Sequence, residues 1–284
     1  MDNPACFVQR GIGIYLQDAL EGMADLPDES FDLAIADPPY GASTSASWKL
    51  PKKHSLPGFG GAWKLASNAW DSSTGTETFE FALLWLTELK RLVRPTGSIW
   101  IHSTYHNSGW INAGCQLVGL EIINEVIWFK RNAFPNLSAR RLTASHETIL
   151  WVHTGGTKRE YFFNYDEVKA ASFSEDNLKK AGKQLRTVWD IPNNKRKEEL
   201  QFGRHPTQKP LRLIERMLLV SGKRGGHLLV PFLGSGTEVV AGVHYGMECT
   251  GFETDPEYFD LARRRITEEM KLQDARPRLE FQQI

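Results

Sequence analysis

Hydrophobic positions in this chain fall into short apolar runs separated by stretches of helical spacing. The runs Gly13-Ile14-Tyr15-Leu16, Leu33-Ala34-Ile35-Ala36, Ser98-Ile99-Trp100-Ile101, residues 226–230 and Thr250-Gly251-Phe252-Glu253 are too short for helices and read as buried strands. Two more β-rich runs cover 122–129 and 147–152. Helical spacing marks 79–93, which Pro95-Thr96-Gly97 ends, then 107–118, 211–221, a helix starting at 238, and 256–271; a brief helix fits 19–26. Trp85 and Leu89 share a face of the 79–93 helix and belong to the core. Strands alternating with helices predict an α/β fold with a mostly parallel sheet covered on both faces.

Two segments break the rhythm. Residues 41–76 are rich in Gly, Ser, Thr and Lys and hold Trp48, Lys52, Lys53, Trp63 and Trp70. A stretch this long without periodicity is expected to be a functional or mobile loop. From 155 to 204 the pattern weakens and Lys and Arg become frequent, as at Lys179-Lys180 and Lys195-Arg196-Lys197. That segment reads as an insertion or small subdomain outside the sheet. The chain divides accordingly into 1–154, 155–204 and 205–284.

Chemistry concentrates at Asp37-Pro38-Pro39-Tyr40. Two prolines lack the N–H groups a central strand needs, so the chain stops abruptly at a strand's carboxyl end. In open α/β sheets ligands bind at that edge. A carboxylate (Asp37) and a rigid carbonyl (Pro38) can both accept from an aromatic amine, drawing its nitrogen towards tetrahedral geometry. Tyr40 offers a flat face for a base. Alternatively, the four residues are an ordinary turn.

Pro231-Phe232-Leu233-Gly234-Ser235-Gly236-Thr237 is a second constellation, a glycine-rich turn between strand and helix. Gly234 and Gly236 permit a tight turn and close backbone approach. The helix start offers unpaired N–H groups, and Glu253 ends the next strand, where an acid can take ribose hydroxyls. Val239 stands where a dinucleotide fingerprint needs its third glycine, which disfavours a nicotinamide cofactor. A nucleoside without pyrophosphate, such as S-adenosylmethionine, fits better.

Composition narrows the classes. Lys plus Arg and Asp plus Glu each number 34, a formal net charge of zero, so the whole molecule is no polycation. The balance hides polarity: residues 1–40 carry one basic and eight acidic side chains, and 155–247 carry sixteen basic and ten acidic. A basic middle can face phosphate. Cys6, Cys115 and Cys249 are too widely spaced for a zinc site or a disulfide framework. Neither His102 with His106 nor His146 with His153 makes a good metal pair, so no metal is expected. The start lacks a secretion signal and no apolar stretch is long enough for a bilayer; a cytoplasmic protein without membrane contact is expected.

Taken in order, Asp37-Pro38-Pro39-Tyr40, then His205-Pro206-Thr207-Gln208-Lys209-Pro210, then the glycine-rich turn resemble a DNA amino-methyltransferase of the beta arrangement, in which the catalytic motif precedes the cofactor turn. The resemblance spans nearly the whole chain. It implies a Rossmann-like methyltransferase sheet, circularly permuted, with an antiparallel hairpin at one edge. S-adenosylmethionine would be the cofactor. Phe232, Gly234, Ser235 and Gly236 would line its methionine part, beside Thr237 at the helix start. Glu253 would hold the ribose and Asp18 the adenine amino group. Thr207 and Lys209 would approach the cofactor carboxylate, and Asp37, also near the cofactor, would hold the target base with Pro38, Pro39 and Tyr40. Double-stranded DNA would be the partner, with residues 153–204 as target-recognition region; similar proteins are often dimers and can have a cognate restriction endonuclease.

The implied reaction is methylation of adenine N6 on a flipped-out base. N4-cytosine methylation follows the same logic, but similar proteins that perform it usually carry Ser at the place of Asp37. RNA or a protein amide remains an alternative acceptor. Methylation at cytosine C5 needs a thiol, typically in a Pro-Cys pair, and no cysteine here follows a proline. One position departs from the family pattern: Val230 replaces an Asp, removing a polar contact expected near the cofactor. A catalytically weak DNA-binding homologue is the reading that departure favours.

Overall fold

A computed structural model describes residues 5–39, 75–135, 140–155, 160–171, 173, 182–193 and 196–275. Tyr40, the loop tryptophans, Lys52, Lys53, Lys179, Lys180 and Lys195 lie outside the described residues. In chain order the elements are β1 (Cys6–Gln9), β2 (Ile12–Leu16), α1 (Ala19–Ala24), β3 (Phe31–Ala36), α2 (Gly75–Leu92), β4 (Val93–Ser103), α3 (Ser108–Leu117), β5 (Glu121–Phe129), β6 (His146–His153), α4 (Tyr165–Ala170), β7 (Val188–Asp190), α5 (Leu211–Ser221), β8 (His227–Val230), α6 (Thr237–Tyr245), β9 (Glu248–Glu253) and α7 (Pro256–Ala275).

The strands form one sheet ordered β1-β2-β9-β8-β3-β4-β6-β5-β7. From β2 to β4 every neighbouring pair is parallel. β6 runs antiparallel to both β4 and β5, which makes the expected edge hairpin. A second hairpin, β1–β2, closes the other edge. Its two-residue turn, Arg10-Gly11, has φ of 51° and 78°, the twist that suits a tight hairpin. Arg-Gly is a weaker sequence signal than Asn-Gly, so β1 is not evident from the pattern.

Alternation along the strands builds two cores. Leu33 and Ile35 face α5, α6 and α7, whereas Ala34 and Ala36 face α1, α2 and α3. Trp85 and Leu89 are buried in the second core, as their spacing predicts. In the first, Trp100 stacks on Trp151 with ring centroids 5.1 Å apart, locking β4 to the antiparallel β6. Burying one such large side chain stabilises the fold by about 1.5–3 kcal/mol.

Two expectations need correction. Pro95-Thr96-Gly97 does not separate helix from strand; it lies inside β4, which starts directly after α2. The segment 155–204 is not separate from the sheet. Val188–Asp190 pairs with β5 as β7, and Trp189 is buried. Tyr161, Phe163 and Val168 pack on the first core too. A three-residue strand beside basic residues leaves no periodic trace, so only the structure reveals it.

The connections place a crevice. From β8 the chain crosses through α6 to β9, and from β3 it crosses through α2 to β4, on opposite sides. β8 and β3 are neighbours, so the winding direction reverses between them. Such a switch point leaves room for a ligand beyond the strands' carboxyl ends. Asp37 follows β3 there, and Pro231 follows β8.

Candidate active site

A cavity of about 420 Å³ opens at this switch point, lined by the ends of β2, β9, β8 and β3 and by the loop before α5. Its volume lies within the range of small-molecule sites. Three strand spacings of about 4.8 Å separate β2 from β3, so the floor extends about 14 Å.

At the β2 end, Asp18 caps α1: its Oδ1 accepts the N–H groups of Leu20 (2.8 Å) and Glu21 (3.3 Å). Glu253 at the end of β9 does comparable work. Its Oε2 accepts from Gly234 N–H at 2.8 Å, and its Oε1 from Thr254 and Asp255 at 2.9 and 2.8 Å. Burial raises the Glu253 carboxyl above its ordinary value, opposed by these three donors.

The glycine-rich turn adopts the backbone its glycines permit, with φ of 51° at Gly234 and 74° at Gly236. Phe232, Gly234, Ser235 and Thr237 line the cavity, but Gly236 does not. A Cβ at Gly236 would point away from it, against Ala262 of α7 at 3.0 Å. Gly236 therefore supports the turn from behind. Buried Arg265 reaches from α7 to the Ser235 carbonyl (2.5 Å) and Thr237 Oγ1 (3.0 Å), fixing the turn from the same side.

Asp37, Pro38 and Pro39 line the β3 end of the cavity. Both Asp37 carboxylate oxygens accept from Lys209 Nζ, at 2.8 and 2.7 Å. The side chain of Lys209 is only 3% exposed. Burial alone would lower its pKa, but the charges of Asp37 and Glu147 and the bond to Asp37 outweigh that and hold it above its ordinary value. Lys209 is placed by a turn that buried Glu199 organises: Glu199 accepts from Arg196 and Leu211 N–H groups at 2.9 Å, and its carbonyl from the Gln208 amide at 3.0 Å. Lys209 thus lines the cavity with its ammonium paired to Asp37. Thr207 lines the cavity beside His205, whose ring packs edge-on to Tyr258. Burial pushes His205 down to about 4.

Several lining residues are not singled out by sequence. Glu238, in the first turn of α6, is buried, and burial together with the Asp37 charge pushes its carboxyl up to about 7. Phe252 and Tyr258 add aromatic walls. None carries a motif signature; each becomes visible only when β8, β9 and α7 come together. Val230 is fully buried in the first core and does not line the cavity. Among the described residues no cluster of His, Cys, Asp and Glu could hold a metal ion.

A family profile described as DNA methylase, of the N6/N4 methyltransferases, matches residues 31–264. This chain belongs to that family. The methylase is 34% identical over 254 residues to the type II methyltransferase M2.DpnII of Streptococcus pneumoniae, covering 89% of this chain and 88% of the relative. M2.LlaDCHI of Lactococcus lactis subsp. cremoris is 32% identical over 251 residues, covering 88% and 87%. Among solved structures the methylase fold is similar to the cytosine-N4-specific PvuII DNA methyltransferase, with a TM-score of 0.68 at 17% identity, covering 95% and 94% of the two chains. The arrangement of sheet and helices is thus the methyltransferase fold that the motif order implies, with no transmembrane helix among the described residues.

Proposed function

We propose that this methylase transfers a methyl group from S-adenosylmethionine to the N6 amino group of adenine in double-stranded DNA. The observation that carries the reading is the convergence of Asp37, Pro38 and Pro39 with Gly234 and Glu253 on one cavity, from segments some 200 residues apart. The cavity fits the cofactor's chemistry. Asp18 and Glu253 line it with carboxylates, a chemistry that suits a nucleoside's amine and hydroxyls. Phe232, Phe252 and Tyr258 supply apolar walls, and the positive-φ turn is of the kind that lets backbone approach a ligand. When bound, S-adenosylmethionine supplies an electrophilic methyl group on a sulfonium sulfur.

The residues then do two things. Asp37 and the Pro38 carbonyl accept from the amine's two hydrogens, concentrating electron density on nitrogen and holding it in line. The aromatic and proline lining gives bound groups apolar surface to pack against. The carboxylate at 37 supports adenine over cytosine N4. The DNA face is supported by topology: β5 and β7 run parallel to β4, so the loops after them open on the same edge as Asp37. The β5–β6 loop carries exposed Arg131, Arg140 and Arg141, and Leu142 is 93% exposed.

Purified protein incubated with duplex DNA and methyl-labelled donor, followed by digestion to nucleosides, tests the reading. Labelled N6-methyladenine is expected, with at least about a hundredfold loss for Asp37→Asn. Labelled N4-methylcytosine alone would overturn the adenine assignment. Equal traces from wild type and variant would leave a DNA-binding homologue.

A further inference from the structure

We propose that Lys209 and Glu147 are positioning residues for Asp37: Lys209 clamps the carboxylate between turnovers and passes to Glu147 when the substrate amine engages Asp37. The inference rests on the reading of Asp37 as the amine's acceptor.

The geometry of the three residues creates the problem and its solution. A carboxylate held on both oxygens by an ammonium has its charge neutralised and its best acceptor positions filled. It cannot take an incoming N–H at full strength until the ammonium yields. Yet Lys209 is buried, and moving a buried ammonium away from a carboxylate is strongly unfavourable. It needs a second anion within reach. Glu147, at the start of β6, provides one: its Oε2 lies 3.7 Å from Lys209 Nζ, inside ion-pair range but too far for a hydrogen bond. That oxygen is buried and makes no hydrogen bond among the described residues. The other oxygen of Glu147 accepts from Lys130 Nζ at 2.9 Å, which anchors the carboxylate.

Two further titratable groups lie near the ammonium. His102 on β4 is fully buried, and neither ring nitrogen has a partner among the described residues. Burial pushes it down to about 4, so it stays neutral beside Asp37, Lys209 and Glu147. Glu238, from α6, is a third acid whose charge acts on Lys209; burial and the Asp37 charge push its carboxyl up to about 7, which makes it a poorer partner for the ammonium than a fully ionised carboxylate. Among the described residues the ammonium has two carboxylates within ion-pair range, Asp37 at 2.7 Å and Glu147 at 3.7 Å. A shift towards Glu147 releases Asp37 from the ammonium while the ammonium stays paired.

Two measurements test this. The first needs no turnover: in a crystal structure of Asp37→Asn, Lys209 Nζ is expected within about 3 Å of Glu147 Oε2. Lys209 turned to any other group, or left at its present distance, would overturn the proposal. The second is kinetic. Glu147→Gln should lower kcat about 10- to 100-fold while donor binding, measured directly, stays within about threefold. Adding Lys209→Met to Glu147→Gln should cost little more than the larger single loss, because the two act as one unit. Wild-type kcat in Glu147→Gln, or fully additive losses, would sink the idea. A wild-type protein that methylates no DNA base would instead remove the functional reading, and the Asp37→Asn structure would still report where Lys209 goes.

Discussion

Glu253 Oε2 accepts the Gly234 N–H at 2.8 Å, so the last residue of β9 closes the turn that follows β8. One carboxylate thus shapes the loop and faces the cavity. Glu253→Ala leaves three N–H groups without their acceptor at once. An unsatisfied buried donor costs about 1–3 kcal/mol, so a drop in melting temperature is expected together with at least about tenfold weaker donor binding by calorimetry. Unchanged binding would mean that the acid serves the loop alone.

A remote substitution should reach the same cavity. Gly22 of α1 packs against the ring of Phe252, and a Cβ there would overlap ring atoms. Helix propensity favours alanine by up to about 1 kcal/mol, but overpacking costs about 1–3 kcal/mol. Gly22→Ala is expected to destabilise the fold by about 1–2 kcal/mol and to weaken donor binding, because Phe252 lines the cavity. Chemical denaturation and calorimetry on one preparation separate the two effects.

The match between sequence and structure depends on the range of each interaction. Strand and helix identities follow from local periodicity, and both motif turns lie where strand ends put them. Asp18, Asp37, Glu253 and Phe232 reach the cavity because each follows or ends a strand of the parallel block. The pairing of Asp37 with Lys209 spans 172 positions, and no local pattern encodes which strand end meets which loop. Glu147 and Glu238 are ordinary acids until β6 and α6 are placed. Gly236 differs the other way: its motif suggests ligand contact, but it does not line the cavity and a Cβ there would meet Ala262 of α7. β7 is hidden because Trp189 is the single buried residue of a three-residue strand.

Histidine 244 gives a pH test of the helical layer. Its Nδ1 lies 3.0 Å from Glu215 and its Nε2 2.6 Å from Glu269, linking α6 to α5 and α7. Burial lowers its pKa, but the two carboxylates outweigh that and raise it above 6.5. A raised folded-state pKa means that the stabilisation is complete below about pH 6.5 and fades as pH climbs through the folded value. The melting-temperature gap between wild type and His244→Gln should therefore be widest in mild acid and shrink towards alkaline pH. A gap that grows with pH would contradict the assignment.

Asp32, at the start of β3, accepts the His227 N–H of β8 at 2.9 Å across 195 positions. During synthesis β3 emerges long before the strand that flanks it. At about 5–20 residues per second, the ribosome leaves the middle of the sheet open for roughly 10–40 s. Neither half of the crevice has its opposite wall in that interval. The newborn chain must therefore keep an apolar strand edge from pairing with strangers until its final third arrives, and the permuted order makes ligand affinity one of the last properties to emerge.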